Sequence, residues 1–250
     1  MKWQEAEFIL KKTYSEVQGR HGENGREYIR SHWNRYVETL TLIDGTCRSG
    51  RVLEIGASIL SNAIARELGY RVKALVHPSE TEWTAIYKGT GIEVVFQDLM
   101  EDALIVESHE YDLILFNEVL EHFYLDPGPV FKFIVASLKK NSRIIFSTPN
   151  FACSEKRWAL LRGRNPQENL NDRQIYYAHI REPVLQECID YWKQVGARIL
   201  NICCSDCRGN ENIFKTAVAL IKGLLKLNFH PALHALFPNM RNTIFMVLTK

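Results

Sequence analysis

The segment Arg51-Val-Leu-Glu-Ile-Gly-Ala-Ser-Ile-Leu-Ser61 constrains this chain more than any other stretch. A short apolar run ends in an acid, a glycine and small residues. Ala63-Ile-Ala-Arg-Glu-Leu-Gly69 then reads as a helix with a glycine just past its end. This is a strand, a tight turn and the start of a helix. In an open α/β sheet, ligands lie against such turns at the carboxyl ends of strands, so a nucleotide or nucleoside is the expected class of ligand.

The residues that follow repeat this rhythm. Strands are predicted over 52–55, 71–76, 92–96, 111–116 and 143–147, with helices over 62–68, 79–87 and 129–138. Apolar strands separated by helices predict a parallel sheet covered on both faces. Upstream, residues 3–43 read as helices interrupted at Gly19, Gly22 and Gly25. Past residue 150 the rhythm stops in a polar, turn-rich insertion, which either shapes a substrate site or is a solvated surface loop. A helix over 183–195, a strand over 198–203, an amphipathic helix over 213–227 and a last strand over 243–248 complete the chain. The expected organisation is one domain over 1–250. It comprises an N-terminal helical region (1–45), a cofactor-binding core (46–150), a substrate-side insertion (151–180) and the C-terminal part of the sheet (181–250).

Composition narrows the class of function. Hydrophobic residues make up 46% and charged residues 24%, as in a soluble globular protein. A net charge of +2, with no basic stripe carrying interleaved aromatics, gives no reason to expect nucleic acid. There is no signal-peptide order at the N-terminus and no apolar run long enough to span a bilayer. With 6 cysteines and no secretory signal, reduced thiols in a cytoplasm are expected. The stretch 213–237 is apolar with Lys215, Lys222 and Lys226. It either packs on its own domain or touches the inner face of a membrane. Trp158, Leu160, Leu161 and Arg162 either cap the site or meet a second copy in a homodimer.

Several ordered segments resemble class I S-adenosylmethionine-dependent methyltransferases, in the branch that includes ubiquinone-biosynthesis-like and glycan-cluster-like enzymes. Val52-Leu-Glu-Ile-Gly56 resembles the first cofactor motif and Val95-Phe-Gln-Asp-Leu99 the adenine-binding segment. Tyr111-Asp-Leu-Ile-Leu-Phe-Asn-Glu-Val-Leu-Glu-His122 is the most specific match. Leu138–Asn150 resembles the fifth-strand segment, and His179-Ile-Arg-Glu-Pro with Gly196-Ala-Arg the helix before the sixth strand. The resemblance implies a Rossmann-like, seven-stranded, mostly parallel sheet with the last strand antiparallel and helices on both faces. An N-terminal helical cap and an insertion after the fifth strand add to it. It also implies methyl transfer from S-adenosyl-L-methionine to a small-molecule, glycan or lipid-linked sugar acceptor, on oxygen by preference.

Carried onto this chain, the cofactor residues are Glu54, Gly56, Ala57, Ser58, His77, Asp98, Leu99, Asn117 and Glu118. Glu54 would meet the cofactor's ammonium, Asp98 the adenine amino group, and Asn117 with Glu118 the methionine end. Ser58 is alternatively the N-cap of the next helix. Two departures stand out. Ala57 to Leu60 fill the usual glycine-rich pattern, and His77 replaces the usual ribose-binding acid. They leave open a non-catalytic methyltransferase-like binding module. His179 and His122 are candidate general bases. Arg181 is a candidate for a substrate phosphate or carboxylate, and Tyr176 with Tyr177 for an aromatic platform. No metal is expected, because Cys203, Cys204 and Cys207 lack a second Cys pair and His230 with His234 lack an intervening Glu.

Overall fold

In the computed structural model, residues 1–43, 50–101, 104, 109–167, 179–207 and 238–250 are described. Tyr176, Tyr177 and the apolar stretch 213–237 lie outside them. The seven strands are β1 (Arg51–Ile55), β2 (Arg71–Val76), β3 (Glu93–Phe96), β4 (Tyr111–Asn117), β5 (Leu138–Pro149), β6 (Arg198–Ser205) and β7 (Thr243–Thr249). They form one sheet in the order β3-β2-β1-β4-β5-β7-β6. The first five run parallel, and β7 lies antiparallel to both β5 and β6. This is the sheet implied by the resemblance. The chain winds outward from β1 in one direction and from β4 in the other, which opens a crevice at their carboxyl ends.

Strand alternation sends side chains to two cores. Leu53, Ile55, Ile114 and Phe116 face one side, with Val130, Phe131 and Ile134 of α6 (Gly128–Ser137) and Trp192 of α8 (Leu185–Gln194). Val52, Leu113, Leu115 and Ile145 face the other, under α1 (Trp3–Val17), α3 (Trp33–Leu42) and α4 (Ile59–Glu67). The N-terminal helices therefore cover the second face of the sheet. Between them, α2 (Glu23–Ser31) contains Gly25, so of the three glycines Gly19 and Gly22 fall in the break after α1, and a second break at His32 separates α2 from α3.

Four elements differ from the sequence reading. The helix expected over 62–68 begins earlier, at Ile59, because Ser58 caps it. The helix expected over 79–87 is shorter, α5 (Glu82–Ile86). Strand β5 begins at Leu138, not 143, because Leu138 already pairs with Tyr111. The extra residues are accommodated by a register shift and by Asn141 at φ 65°. The insertion opens with a helix, α7 (Ser154–Leu161), which displays Leu160, Leu161 and Trp158 on its exposed surface.

Candidate active site

At the carboxyl end of β1, the pleat settles where Glu54 points. It shares a face with Val52, so its carboxylate lies under the start of α4, where it is buried. Ser58 donates to its Oε1 at 2.5 Å and Ser61 to its Oε2. Ser58 is also the helix N-cap, its Oγ accepting the N–H of Leu60. Burial pushes the Glu54 carboxyl up to about 7, against the opposing pull of the two serines. The following Gly56 has φ 90°, and an added Cβ would meet Val119 at 3.4 Å. A side chain here would be strained and would close the gap to the loop beyond β4. The hydroxyl of Tyr87 donates to the carbonyl of Ser58 and accepts its N–H, fixing the turn from beneath.

At the ends of β2 and β3, His77 and Asp98 lie opposite each other. His77 Nδ1 accepts the N–H of Ser79, so Nε2 carries the proton and donates to Asp98 Oδ2 at 3.3 Å. Asp98 Oδ1 accepts the N–H of Met100 at 2.8 Å. Leu99 packs against the core below. Ala57 packs on the small cluster of Ala74, Val76, Ile86 and Tyr87.

At the end of β4, Ile55 pairs with Phe116, so Gly56 leaves β1 beside Asn117, the last residue of β4, which pairs with Ser147. Both amide atoms of Asn117 are buried without a hydrogen-bond partner. Glu118 has φ 53°, a left-handed conformation that is uncommon outside glycine. Its N–H donates to Ser147 O at 2.8 Å. Ser147 Oγ donates to Oε1 at 2.8 Å and Arg35 of α3 to Oε2 at 2.9 Å. Arg35 is itself buried and also donates to Tyr28 Oη at 3.1 Å. Burial opposes its charge, but Glu118 and the tyrosines outweigh burial and keep it ionised.

Residues 120–122 form a 3-10 turn that buries Glu121 and leaves His122 half-buried. The carbonyl of Glu121 accepts the N–H groups of Ile180 and Arg181, bringing the end of the insertion onto this turn. His122 and His179, far apart in the chain, thereby come within 5.3 Å, ring centre to ring centre. His179 Nδ1 bonds Glu182 Oε1 at 2.8 Å. The exposed Arg181 pairs with Glu187 at the start of α8. Cys203, Cys204 and Cys207 are free thiols, which burial pushes up to about 11, 11 and 12.

Glu54, Gly56, Ala57, Ser58, His77, Asp98, Leu99, Asn117 and Glu118 thus all stand at or just past the carboxyl ends of β1 to β4. Sequence reasoning missed Arg35, Ser147, Ser61 and Glu182. Only Ser61 had a signal, its three-residue spacing from Ser58 on one helix face.

These residues can hold a ligand with a cationic, zwitterionic end. Asn117 offers an unpaired donor and acceptor, Glu118 a fixed carboxylate, and Gly56 close backbone approach. His77 and Asp98 add polar groups for a nucleoside. A family model described as a methyltransferase domain matches residues 25–202. No curated protein matches the chain. Solved structures share its fold. An S-adenosylmethionine-dependent methyltransferase from Mesorhizobium loti is 14% identical with a TM-score of 0.56, covering 87% of this chain and 98% of that one. The 1,6-didemethyltoxoflavin-N1-methyltransferase of Burkholderia thailandensis, solved with 1,6-didemethyltoxoflavin and S-adenosylhomocysteine, is 16% identical with a TM-score of 0.56, covering 100% and 91%. Phosphoethanolamine N-methyltransferase 2 of Haemonchus contortus, with S-adenosyl-L-methionine, is 15% identical with a TM-score of 0.55. It covers 87% of this chain, which spans only 52% of its length.

Proposed function

The chain belongs to the methyltransferase-domain family, and from that premise we propose that it is an S-adenosylmethionine-dependent enzyme methylating a small-molecule, glycan or lipid-linked sugar acceptor on oxygen. The observation that carries the cofactor reading is Asn117, whose buried, unpartnered amide lies beside the open turn at Gly56. Asn117, Glu118 and the backbone of 56–58 hold the methionine end, and His77, Asp98 and Leu99 hold the nucleoside. Glu54 acts on this ligand through Ser58, since its carboxylate is engaged by the two serines. We read residues 1–250 as one domain on a single sheet, supported by the two cores that share it.

The bound cofactor supplies a methyl group on a sulfonium, and the protein supplies alignment. Alignment of nucleophile and methyl removes about 7–11 kcal/mol of barrier. A hydroxyl acceptor also needs its proton removed. His179 or His122 receives it, and Glu182 on Nδ1 of His179 orients that ring with Nε2 as the working nitrogen. For the acceptor we propose Arg181 and, on the sequence alone, Tyr176 and Tyr177.

Free thiols among the described residues support a reducing, cytoplasmic setting. No helix among those residues is long and apolar enough to cross a membrane. Peripheral contact through 213–237 and a homodimer through the exposed Leu160 and Leu161 of α7 belong to this reading as further proposals.

The function is tested by incubating the purified chain with methyl-labelled cofactor and a panel of sugar, phenolic and amine acceptors. Label in a hydroxyl acceptor is the expected result. Transfer only to amines would overturn the oxygen assignment. The His77–Asp98 pairing favours a second reading, a binding module without turnover, and cofactor binding with no transfer to any acceptor would favour it.

A further inference from the structure

Methyl transfer as set out above makes no use of Glu121. Its side chain is 0% exposed, yet only Oε2 has a partner, the hydroxyl of Thr148 at 3.1 Å. Oε1 is buried with no hydrogen bond. An isolated buried carboxylate oxygen is costly unless it is protonated or faces a cation. The side chains closest in chemistry are His122, next in sequence, and His179, held here by the N–H groups of Ile180 and Arg181 on the Glu121 carbonyl. One ligand atom from each of Glu121, His122 and His179 lies within 4.8 Å of the other two.

We propose that Glu121, His122 and His179 form a binding site for one divalent transition-metal ion on the acceptor side of the crevice. Two imidazoles and one carboxylate are donors for zinc, iron, cobalt or manganese, whereas magnesium and calcium favour all-oxygen sets. Three protein ligands leave coordination positions for water or an acceptor oxygen. The supporting contacts are those that metal ligands use. Glu182 holds Nδ1 of His179 at 2.8 Å and is itself paired with Lys156, while Thr148 holds the second oxygen of Glu121. This places a carboxylate–histidine pair behind the ion, and it gives Glu121 the cation its burial calls for. The protonated thiols of the buried Cys204 and the half-buried Cys203 and Cys207 are the rival ligands elsewhere in the fold.

The site stands without the transfer reading. Its consequence rests on that reading: a hydroxyl acceptor bound to the ion would lose its proton more readily, and with the ion bound the two histidines serve as ligands in place of serving as bases.

The test is titration of the metal-free full chain with Co2+, followed by visible absorption, and with Zn2+, followed by calorimetry, both without cofactor or acceptor. One saturating equivalent is expected, with no thiolate-to-cobalt band. His122→Ala and His179→Ala should abolish it, and Glu182→Gln should weaken it about 10–100-fold. A Cys203→Ser, Cys207→Ser double variant should bind as the wild type does. Circular dichroism checks folding; if a histidine variant unfolds, the Glu182→Gln result decides. No saturable binding, unchanged affinity in both folded histidine variants, or loss in the cysteine variant would overturn the proposal. Cofactor affinity, measured separately, reports on the transfer reading and not on this site.

Discussion

The crevice has two sides built on different principles. On the side of β1, β2 and β3, most polar groups are held by a near neighbour in sequence: Glu54 by Ser58 and Ser61, His77 by Ser79, Asp98 by Met100, with His77–Asp98 and Tyr87–Ser58 as the longer-range contacts. Beyond β4, closure is long-range: Glu118 depends on Arg35 and Ser147, Glu121 on Thr148, and His122 meets His179. Local wiring forms with the strand–turn–helix unit itself. Long-range wiring exists only once the N-terminal helices and the end of the insertion have docked. The second side should therefore be the more fragile, and the one whose disruption spreads.

The sharpest way to break the contrast is Arg35→Ala. It leaves Glu118 nearly buried without its guanidinium, and removal of one partner of such a pair costs about 3–5 kcal/mol. Urea unfolding should show that loss, together with weakened cofactor binding, although Arg35 lies on α3 and is 83 residues from Glu118. A near-neutral result would show that the N-terminal layer does not organise the site.

His179→Ala comes next. Turnover on a hydroxyl acceptor should fall about 10²–10⁴-fold, the usual contribution of a general base. Affinity for the cofactor, measured by calorimetry, should stay unchanged. A parallel fall in cofactor affinity would mean that the two sides are not separable.

Glu54 sharpens the comparison through pH. Its folded carboxyl is raised to about 7 from 4.5, so the folded state holds this proton more tightly than the unfolded state does. Stability should therefore decline as pH rises from about 4.5 to about 7 and level off above, by about 3 kcal/mol from this group. Urea midpoints across that range should show the decline in the wild type and a flatter profile in Glu54→Gln.

The smallest effect is expected at His77. The His77–Asp98 pair is partly exposed, so His77→Ala should cost under about 1 kcal/mol of stability. Thermal unfolding at low and high salt checks this, and a larger loss would make the nucleoside side as interdependent as the other.

The same division explains what the sequence made legible. Strand β2 and the core of β1 and β4 were readable because apolar runs between helices have few alternatives. The placement of Glu54, Gly56, Ser58 and Asp98 at strand ends was readable because a turn at a strand end carries its own short-range signature. The start of β5 was not readable: Leu138 joins the strand through its pairing with Tyr111, not through its neighbours. Arg35 gave no signal as the partner of Glu118, because a helical arginine reads as solvated until another element covers it. The meeting of His122 with His179, and with it the proposed cation site, depends on two backbone hydrogen bonds to Glu121 that no spacing encodes.

The central claim is that this crevice binds S-adenosylmethionine despite Ala57 to Leu60 and His77. The most direct test is calorimetric titration of the purified full chain with S-adenosylmethionine and, separately, S-adenosylhomocysteine. Saturable binding of both at one site per chain is expected, weakened by Asn117→Ala. A folded, monodisperse protein that binds neither would contradict it.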